Sequence, residues 1–253
     1  MKHIKLLYLF LLISWSSLPL QAADYLLQSP NGKLTVEIET KGQLSYTLKH
    51  NSQTLLDKSP IGLLLEDKIL GEDIKISRIK RNSSVKEHIV SPHYRLPSFE
   101  VTYNELNLKF KGNYGIIFRA YNEGIAYRFY TTMKGPLIIK DEMVQMNFPE
   151  DYPTFMSYST MPTGEDQYAM AFQNLYTKSS IKGVDTNNIA FLPITIDCGN
   201  ELKMTLLESD LEDYPGMFIK GDGKNTSLQG TFAHYPSEIK NFPPRAMKRI
   251  TKR

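Results

Sequence analysis

Residues 204–219 contain the side chains best suited to chemistry, four carboxylates between two apolar runs: Glu208, Asp210, Glu212 and Asp213. A Pro215-Gly216 pair marks a turn before the second run. In an extended chain Glu208, Asp210 and Glu212 would share one face, where like charges repel unless water or a cation separates them. The cluster therefore predicts either a solvated hairpin end or part of a hard-cation site. Acidic loops are commonly solvated, and the spacing and central glycine of an EF-hand are absent.

Signatures of self-contained catalysis do not occur in the sequence. It has no nucleophile elbow, no zincin histidine pair, no paired-cysteine motif and no Walker loop. The histidines His50, His88, His93 and His234 are scattered, which is typical of surface residues rather than metal ligands. A glycosidase carboxylate pair is defined by its separation in three dimensions, so the 27 acidic residues do not reveal one. We therefore assign no catalytic residue and no cofactor-binding residue from the sequence.

Residues 1–22 have the pattern of a secretory signal peptide. Lys2 and Lys5 give a basic start, residues 6–13 are apolar but too short to span a bilayer, and Ala22 and Ala23 offer a cleavage site. No cysteine at that site could carry a lipid, and no later apolar run has the length of a membrane helix. We expect a periplasmic or secreted mature protein with no membrane partner; an uncleaved signal anchor is the alternative.

Residues 23–238 are long enough for one large domain with its own core. Removal of Lys2 and Lys5 would lower the formal net charge from +3 to +1, which gives no argument for nucleic acid as a partner. Cys198 is the single cysteine and lies in an apolar, strand-like context, so it predicts a buried thiol and no internal disulfide. Stability must therefore come from the core.

Hydrophobic alternation with a period of two predicts strands along nearly the whole chain. Two strands over residues 33–40 and 44–48 open the fold. Further strands are predicted over residues 61–65, 73–80, 99–103, 106–110, 114–121, 125–132, 189–197, 202–207, 217–219 and 227–232. Many short strands separated by Gly, Pro and Asn indicate an all-β sandwich of antiparallel sheets. Residues 149–188 contain Pro149, Pro153 and Pro162 and no clean period, so they predict a long irregular but ordered loop.

The segment over residues 118–129 predicts a hairpin. Asn122, Glu123 and Gly124 supply the turn, and the flanks alternate bulky and polar side chains. The pattern indicates a central hairpin in which Arg119 and Arg128 help to cover the sheet.

A resemblance to a known family rests on several segments in order. These are the signal peptide, residues 28–33 (Gln-Ser-Pro-Asn-Gly-Lys), residues 59–62 (Ser-Pro-Ile-Gly), the hairpin, residues 193–196 (Pro-Ile-Thr-Ile), residues 208–211 (Glu-Ser-Asp-Leu) and residues 214–217 (Tyr-Pro-Gly-Met). Together they resemble the N-terminal domain of glycoside hydrolase family 97. The last two segments are the most specific, whereas similar hairpins occur in sandwich domains of other glycosidases.

The resemblance implies a β-super-sandwich of the galactose-mutarotase-like type, packed against a catalytic (β/α)8 barrel. Family members of this kind are periplasmic α-glucosidases or α-galactosidases that act on α-linked oligosaccharides with calcium at the active site. Their N-terminal domain lends a glutamate to the calcium, and the matching residue here is Glu208. Calcium takes six to eight oxygens, so Glu208 would be one ligand among several, and only with a barrel present. Asp210 and Glu212 are expected to be solvated.

Residues 239–253 form a basic tail that resembles the start of the linker into the barrel, and no barrel follows in the sequence. The expected function is therefore that of a non-catalytic N-terminal domain, inactive alone, with an apolar patch where the barrel docks. One alternative is a stand-alone periplasmic carbohydrate-binding module, supported by the sandwich fold and the 14 tyrosines after the signal peptide. A structural remnant without any ligand is a third.

Overall fold

A computed structural model describes residues 24–91, 95–160, 165–169, 173–212, 214–235, 238–239 and 250–251. The predicted signal peptide and most of the predicted linker over residues 239–253 therefore lie outside the described residues. Within these ranges no helix has the length and apolar character needed to cross a membrane.

The regular secondary structure of the described chain consists almost entirely of strands. In chain order they are β1 (Tyr25–Gln28), β2 (Leu34–Glu39), β3 (Ser45–His50), β4 (Gln53–Leu65), β5 (Ile69–Leu70), β6 (Ile76–Val90), β7 (Ser98–Phe110), β8 (Tyr114–Tyr121), β9 (Ile125–Thr131), β10 (Ile139–Asn147), β11 (Pro153–Tyr158), β12 (Thr177–Ser180), β13 (Ala190–Asp197), β14 (Lys203–Leu206), β15 (Met217–Gly221), β16 (Ser227–Phe232), β17 (Glu238–Ile239) and β18 (Ile250–Thr251). A short 3₁₀ helix covers Glu165–Ala169.

Two sheets with antiparallel pairing make up the domain. The larger has twelve strands in the order β1-β2-β3-β4-β10-β16-β15-β13-β11-β12, with β5 paired to β4 and β14 paired to β13. The smaller has four strands in the order β6-β7-β8-β9, and β17 pairs separately with β18. Every pairing is antiparallel, so the predicted all-β fold of antiparallel sheets is confirmed.

The core lies between the four-stranded sheet and the first strands of the larger sheet, and it continues along β11, β13, β15 and β16, where Met156, Ile194, Ile219 and Leu228 are fully buried. Alternate residues of β2 point inward, with Val36 and Ile38 fully buried. Across the layer, the ring of Tyr46 on β3 lies 6.1 Å from Phe118 on β8 and 5.7 Å from Tyr127 on β9, measured between centroids. These tilted ring pairs join the two sheets into a sandwich.

The predicted loop over residues 149–188 is more regular than its sequence indicated. It contains β11, the 3₁₀ helix and β12, and β11 pairs with both β12 and β13. Pro153 is the first residue of β11, a position where a proline does not interrupt the strand. The described residues 149–152 and 181–188, at the two ends of the segment, have an irregular course.

The central hairpin and the buried thiol are both confirmed. β8 and β9 pair from Tyr114 to Ala120, and the Arg119 guanidinium lies 4.3 Å from the ring centroid of Tyr103. The Nε of Arg119 also donates to Glu105 Oε2 at 2.9 Å. Cys198 is 2% exposed, and burial raises the pKa of its thiol to about 11, so it is an inert part of the core.

Candidate functional site

The acidic residues lie on a loop that leaves the large sheet and returns to the same strand. β14 pairs with Ile194–Asp197 of β13, and β15 pairs with Ala190 and Phe191 on the same side of β13, because β11 occupies the other side. β14 and β15 therefore lie end to end along the same side of β13, and residues 207–216 form the loop that connects them. We call residues 207–216 the acidic loop.

Pro193 of β13 lies opposite the gap between β14 and β15. Leu192 and Pro193 separate the two parts of β13 that pair with β14 and β15. The β11–β13 ladder also shifts register here, between Phe155 and Ser157, so the pairing of β13 is irregular on both sides at this point.

Glu208 turns back toward the sheet at the start of the acidic loop. Its Oε2 accepts a hydrogen bond from the backbone N–H of Met217, the first residue of β15, at 2.8 Å. The side chain is partly buried, and this desolvation raises the pKa of Glu208, while the bond from Met217 opposes the rise. The carboxylate therefore has a fixed position.

The acidic loop does not run as an extended strand through Asp210. Asp210 has a backbone φ of 60°, a left-handed conformation that breaks the alternation of an extended chain. Its side chain is 72% exposed, and its Oδ2 lies 3.6 Å from Nη1 of Arg128 on β9. Glu212 is exposed, as expected for a solvated residue, and Asp213 lies outside the described residues.

The structure adds a second carboxylate that the sequence did not indicate. Glu142 on β10 accepts a hydrogen bond from the hydroxyl of Tyr214 at 2.7 Å. Burial raises the pKa of Glu142, the Tyr214 bond opposes this, and the charges of Glu208 and Asp141 add to the rise. Burial and the charge of Glu142 likewise raise the pKa of the Tyr214 hydroxyl.

Aromatic rings connect this group to the core. The ring of Tyr214 lies 6.1 Å from that of Phe232 at the end of β16, in an edge-on arrangement. Tyr127, one of the rings that join the two sheets, has its pKa raised chiefly by burial and further by the charges of Tyr46, Glu142 and Tyr214. The acidic loop is thus anchored at Glu208 and Tyr214 rather than free in solvent.

The site offers oxygen ligands but not a complete metal site. Carboxylate oxygens suit hard cations such as calcium, and Glu208 provides one such group in a fixed position. No group of three or more histidine, cysteine, aspartate or glutamate side chains among the described residues could hold a metal ion. Glu208 is thus a single fixed carboxylate, which is not a metal site by itself.

Glu142 was missed because β10 was not predicted. Val144, Met146 and Phe148 are buried in alternation with polar Gln145 and Asn147, and this period of two is visible in the sequence. That signal identifies the strand. It does not identify the contact with Tyr214, which is 72 residues away along the chain.

Comparison with known proteins gives a consistent result. Residues 27–248 match the family described as Glycosyl-hydrolase 97 N-terminal. The chain is 35% identical over 239 residues to a retaining alpha-galactosidase of Bacteroides thetaiotaomicron, in a match that covers 92% of this chain and 36% of that protein.

Solved structures support the fold. A glycoside hydrolase family 97 enzyme from Pseudoalteromonas sp. strain K8, in complex with acarbose, superposes with a TM-score of 0.69 at 16% identity, covering 82% of this chain and 32% of that one. A beta-arabinopyranosidase gives a TM-score of 0.72 at 18% identity, covering 82% and 35%. This chain spans about one third of the length of these relatives. On the match over residues 27–248, the chain belongs to the glycosyl-hydrolase 97 N-terminal family.

Proposed function

We propose that this chain acts as the non-catalytic N-terminal domain of a family 97 glycosidase. In this role it braces a (β/α)8 barrel and contributes to the carbohydrate and calcium site of that barrel. The observation that carries the proposal is the family match over residues 27–248, in a chain that spans about a third of its relatives. Active sites of (β/α)8 barrels form at the carboxyl face of the barrel, so this domain would supply supporting groups.

Glu208 is the residue that we assign to the calcium. Its Oε2 is held by Met217, which fixes the position of the carboxylate before any cation binds. Bound calcium would supply a fixed positive charge at the sugar site. A nearby cation would also favour the ionised form of Glu208 and oppose the effect of burial on its pKa.

Glu142 and Tyr214 have a positioning role in this proposal. The 2.7 Å hydrogen bond between them ties the end of the acidic loop to β10. Glu208 at the start of the loop is tied to β15. With both ends fixed, the loop presents Glu208 in a reproducible position, which a metal ligand contributed by a separate domain requires.

The substrate class and the compartment follow from the same proposal. The Bacteroides thetaiotaomicron relative is a retaining alpha-galactosidase, and its similarity favours an α-linked oligosaccharide as the substrate of the assembled enzyme. The signal-peptide pattern of residues 1–22 favours the periplasm. Amino-terminal sequencing of the exported protein should give a start near Ala23, and an intact Met1 would contradict this assignment.

The test joins this chain to a barrel. The part of the Bacteroides thetaiotaomicron retaining alpha-galactosidase that lies outside its match to this chain is fused to this chain, and release of galactose from an aryl α-galactoside is followed against calcium concentration. We expect activity from the fusion and none from this chain alone. Glu208→Gln should raise the calcium concentration needed for half-maximal activity by about tenfold, the lower range for loss of a metal-supporting group.

Glu212→Gln is the matched control, because it removes one exposed carboxylate from the same loop. It should leave the calcium dependence unchanged. Sugar release by the unfused chain well above buffer would refute the non-catalytic role. Equal calcium dependence in the Glu208→Gln and Glu212→Gln fusions would refute the assignment of Glu208.

A further inference from the structure

A basic cavity lies on the outer face of the four-stranded sheet. It has a volume of about 240 Å³ and is lined by Arg78 and Lys80 of β6, Asn107 and Lys109 of β7, and Tyr130 of β9. Pockets that enclose drug-sized ligands span roughly 300–1,000 Å³, so this cavity has room for about one sugar residue. Arg78 and Lys80 are exposed, so the cavity is accessible from solvent.

Two of the three cationic side chains that line this cavity lie directly opposite each other in the sheet. Arg78 is the direct partner of Lys109 in the antiparallel ladder, and Lys80 lies two residues along β6 on the same face. Like charges directly opposite each other destabilise a sheet. In the part of the chain that the structure describes, none of the three forms an ion pair with a carboxylate. An anionic ligand would relieve this repulsion.

Tyr130 gives the cavity a fixed aromatic wall. Its ring crosses Gly115 on β8, where an added Cβ would lie 2.6 Å from Tyr130 Cζ, and its hydroxyl donates to Asn107 Oδ1 on β7 at 2.8 Å. These contacts with β7 and β8 fix the position of the Tyr130 ring, which belongs to β9. The amide nitrogen of Asn107 makes no hydrogen bond to a described residue, so it is free to donate to a ligand oxygen.

We propose that this cavity binds an anionic saccharide, meaning a sugar unit that carries a carboxylate or sulfate group. The two groups offer the same chemistry to Arg78, Lys80 and Lys109, namely oxygens that accept charge-assisted hydrogen bonds. The aromatic ring and the Asn107 amide suit the apolar face and hydroxyls of a sugar, which a bare inorganic anion lacks. The choice of a saccharide rests on the proposed function; the choice of an anion rests on the three cations alone.

The experiment is calorimetric titration of the full chain with three short glycans. Tetragalacturonate supplies carboxylates, a sulfated tetrasaccharide supplies sulfates, and maltotetraose is the neutral comparison. We expect one or both anionic glycans to bind and maltotetraose to give no heat. Arg78→Gln with Lys109→Gln should weaken binding at least tenfold, and Lys80→Gln alone should weaken it by a smaller factor. Melting curves of both variants should show no loss of stability, because each substitution relieves repulsion.

The control removes the same number of charges elsewhere. Lys33→Gln with Lys224→Gln changes two exposed lysines outside the cavity and should retain full binding. Equal weakening by the control pair would show non-specific charge attraction and overturn the proposal, as would equal binding of maltotetraose. Absence of binding by both anionic glycans would also overturn it. The fusion with the barrel would still test the proposed function, since that assay does not depend on this cavity.

Discussion

At the scale of single residues, Glu142 and Glu208 are two carboxylates brought close enough for the charge of one to raise the pKa of the other. Burial is the larger cause at both positions, and each has one hydrogen bond that opposes it. Such perturbed carboxylates concentrate at functional sites, although structural networks produce them as well. Substitutions at this pair can separate a contribution to stability from a contribution to cation binding.

Glu142→Gln should make the protein more stable at neutral pH. Because the pKa of Glu142 is raised in the folded state, that state holds the proton more tightly than the unfolded chain, and stability falls as the pH rises through the carboxyl range. A neutral glutamine avoids this loss of stability, and its side-chain oxygen can still accept the hydrogen bond from the Tyr214 hydroxyl. The melting temperature of the variant should exceed that of the parent by a few degrees near pH 7, and the gap should close near pH 4.

Glu123→Gln is the control for this comparison, because Glu123 is exposed in the β8–β9 turn. It should give the same melting temperature as the parent throughout the range. A gap for Glu142→Gln that stays constant with pH would contradict a charge-based cause.

Tyr214→Phe should have the opposite effect. The substitution removes the hydroxyl that donates to Glu142 and leaves a partly buried carboxylate without that partner. Hydrogen bonds to charged groups contribute about 1.5–3 kcal/mol, so the melting temperature should fall by several degrees at neutral pH. Tyr25→Phe, which removes a hydroxyl with no hydrogen bond to a described residue, should cause little change. If the two variants melt at the same temperature, the Glu142–Tyr214 hydrogen bond does not contribute to stability.

At the scale of strands, Gly115 determines how β7, β8 and β9 fit together. A Cβ at this position would lie 2.5 Å from the Leu108 carbonyl oxygen and 2.6 Å from the Tyr130 hydroxyl oxygen. The backbone oxygen cannot move without disturbing the β7–β8 ladder. The glycine therefore allows both the close strand contact and the position of Tyr130.

Gly115→Ala should destabilise the domain by about 1–3 kcal/mol, the usual range for overpacking, as measured by urea unfolding. Gly124→Ala is the matched substitution, because a Cβ there would meet nothing within 4 Å. Gly124→Ala should leave the free energy of unfolding nearly unchanged. If both variants unfold at the same urea concentration, the close contact at Gly115 is unimportant for stability.

Some strands could be predicted from the sequence closely, and others could not. β8 and β16 have the predicted bounds, because each alternates apolar and polar residues between clear turn signals. β11 was hidden by its proline, since Pro153 begins the strand instead of interrupting it, and β12, with the sequence Thr-Lys-Ser-Ser, has no apolar alternation to reveal it. At the site, the acidic loop and Glu208 were visible as a run of carboxylates. The approach of Glu142 depends on the order of β10, β16 and β15, which local patterns do not encode.

At the scale of the whole molecule, apolar side chains accompany the acidic loop at the surface. Leu207 is 63% exposed and Leu211 is 49% exposed, on either side of Glu208 in the sequence. If this loop faces a barrel in the assembled enzyme, these side chains would be covered there. The apolar docking patch expected from the sequence remains a prediction, and the two leucines make it testable.

Leu207→Ser with Leu211→Ser should reduce binding of a hydrophobic dye by the isolated chain and reduce its self-association, since exposed apolar patches promote both. Light scattering and dye fluorescence would measure these effects. Leu96→Ser changes a leucine that is 61% exposed in the β6–β7 connection, and should change neither. A monodisperse parent chain that binds no dye would contradict the prediction.

Because β14 and β15 lie end to end along β13, the acidic loop between them can change without a change in the sheet. Both ends of the acidic loop are held by the same neighbouring strand, so the loop can be lengthened, shortened or replaced while the register of the sheet stays as it is. Longer loops add little entropic cost, about 0.6 kcal/mol for each doubling of length. Selection could therefore alter the loop that meets a partner or a ligand without rebuilding the sandwich, and an engineer could insert a foreign peptide at the same place.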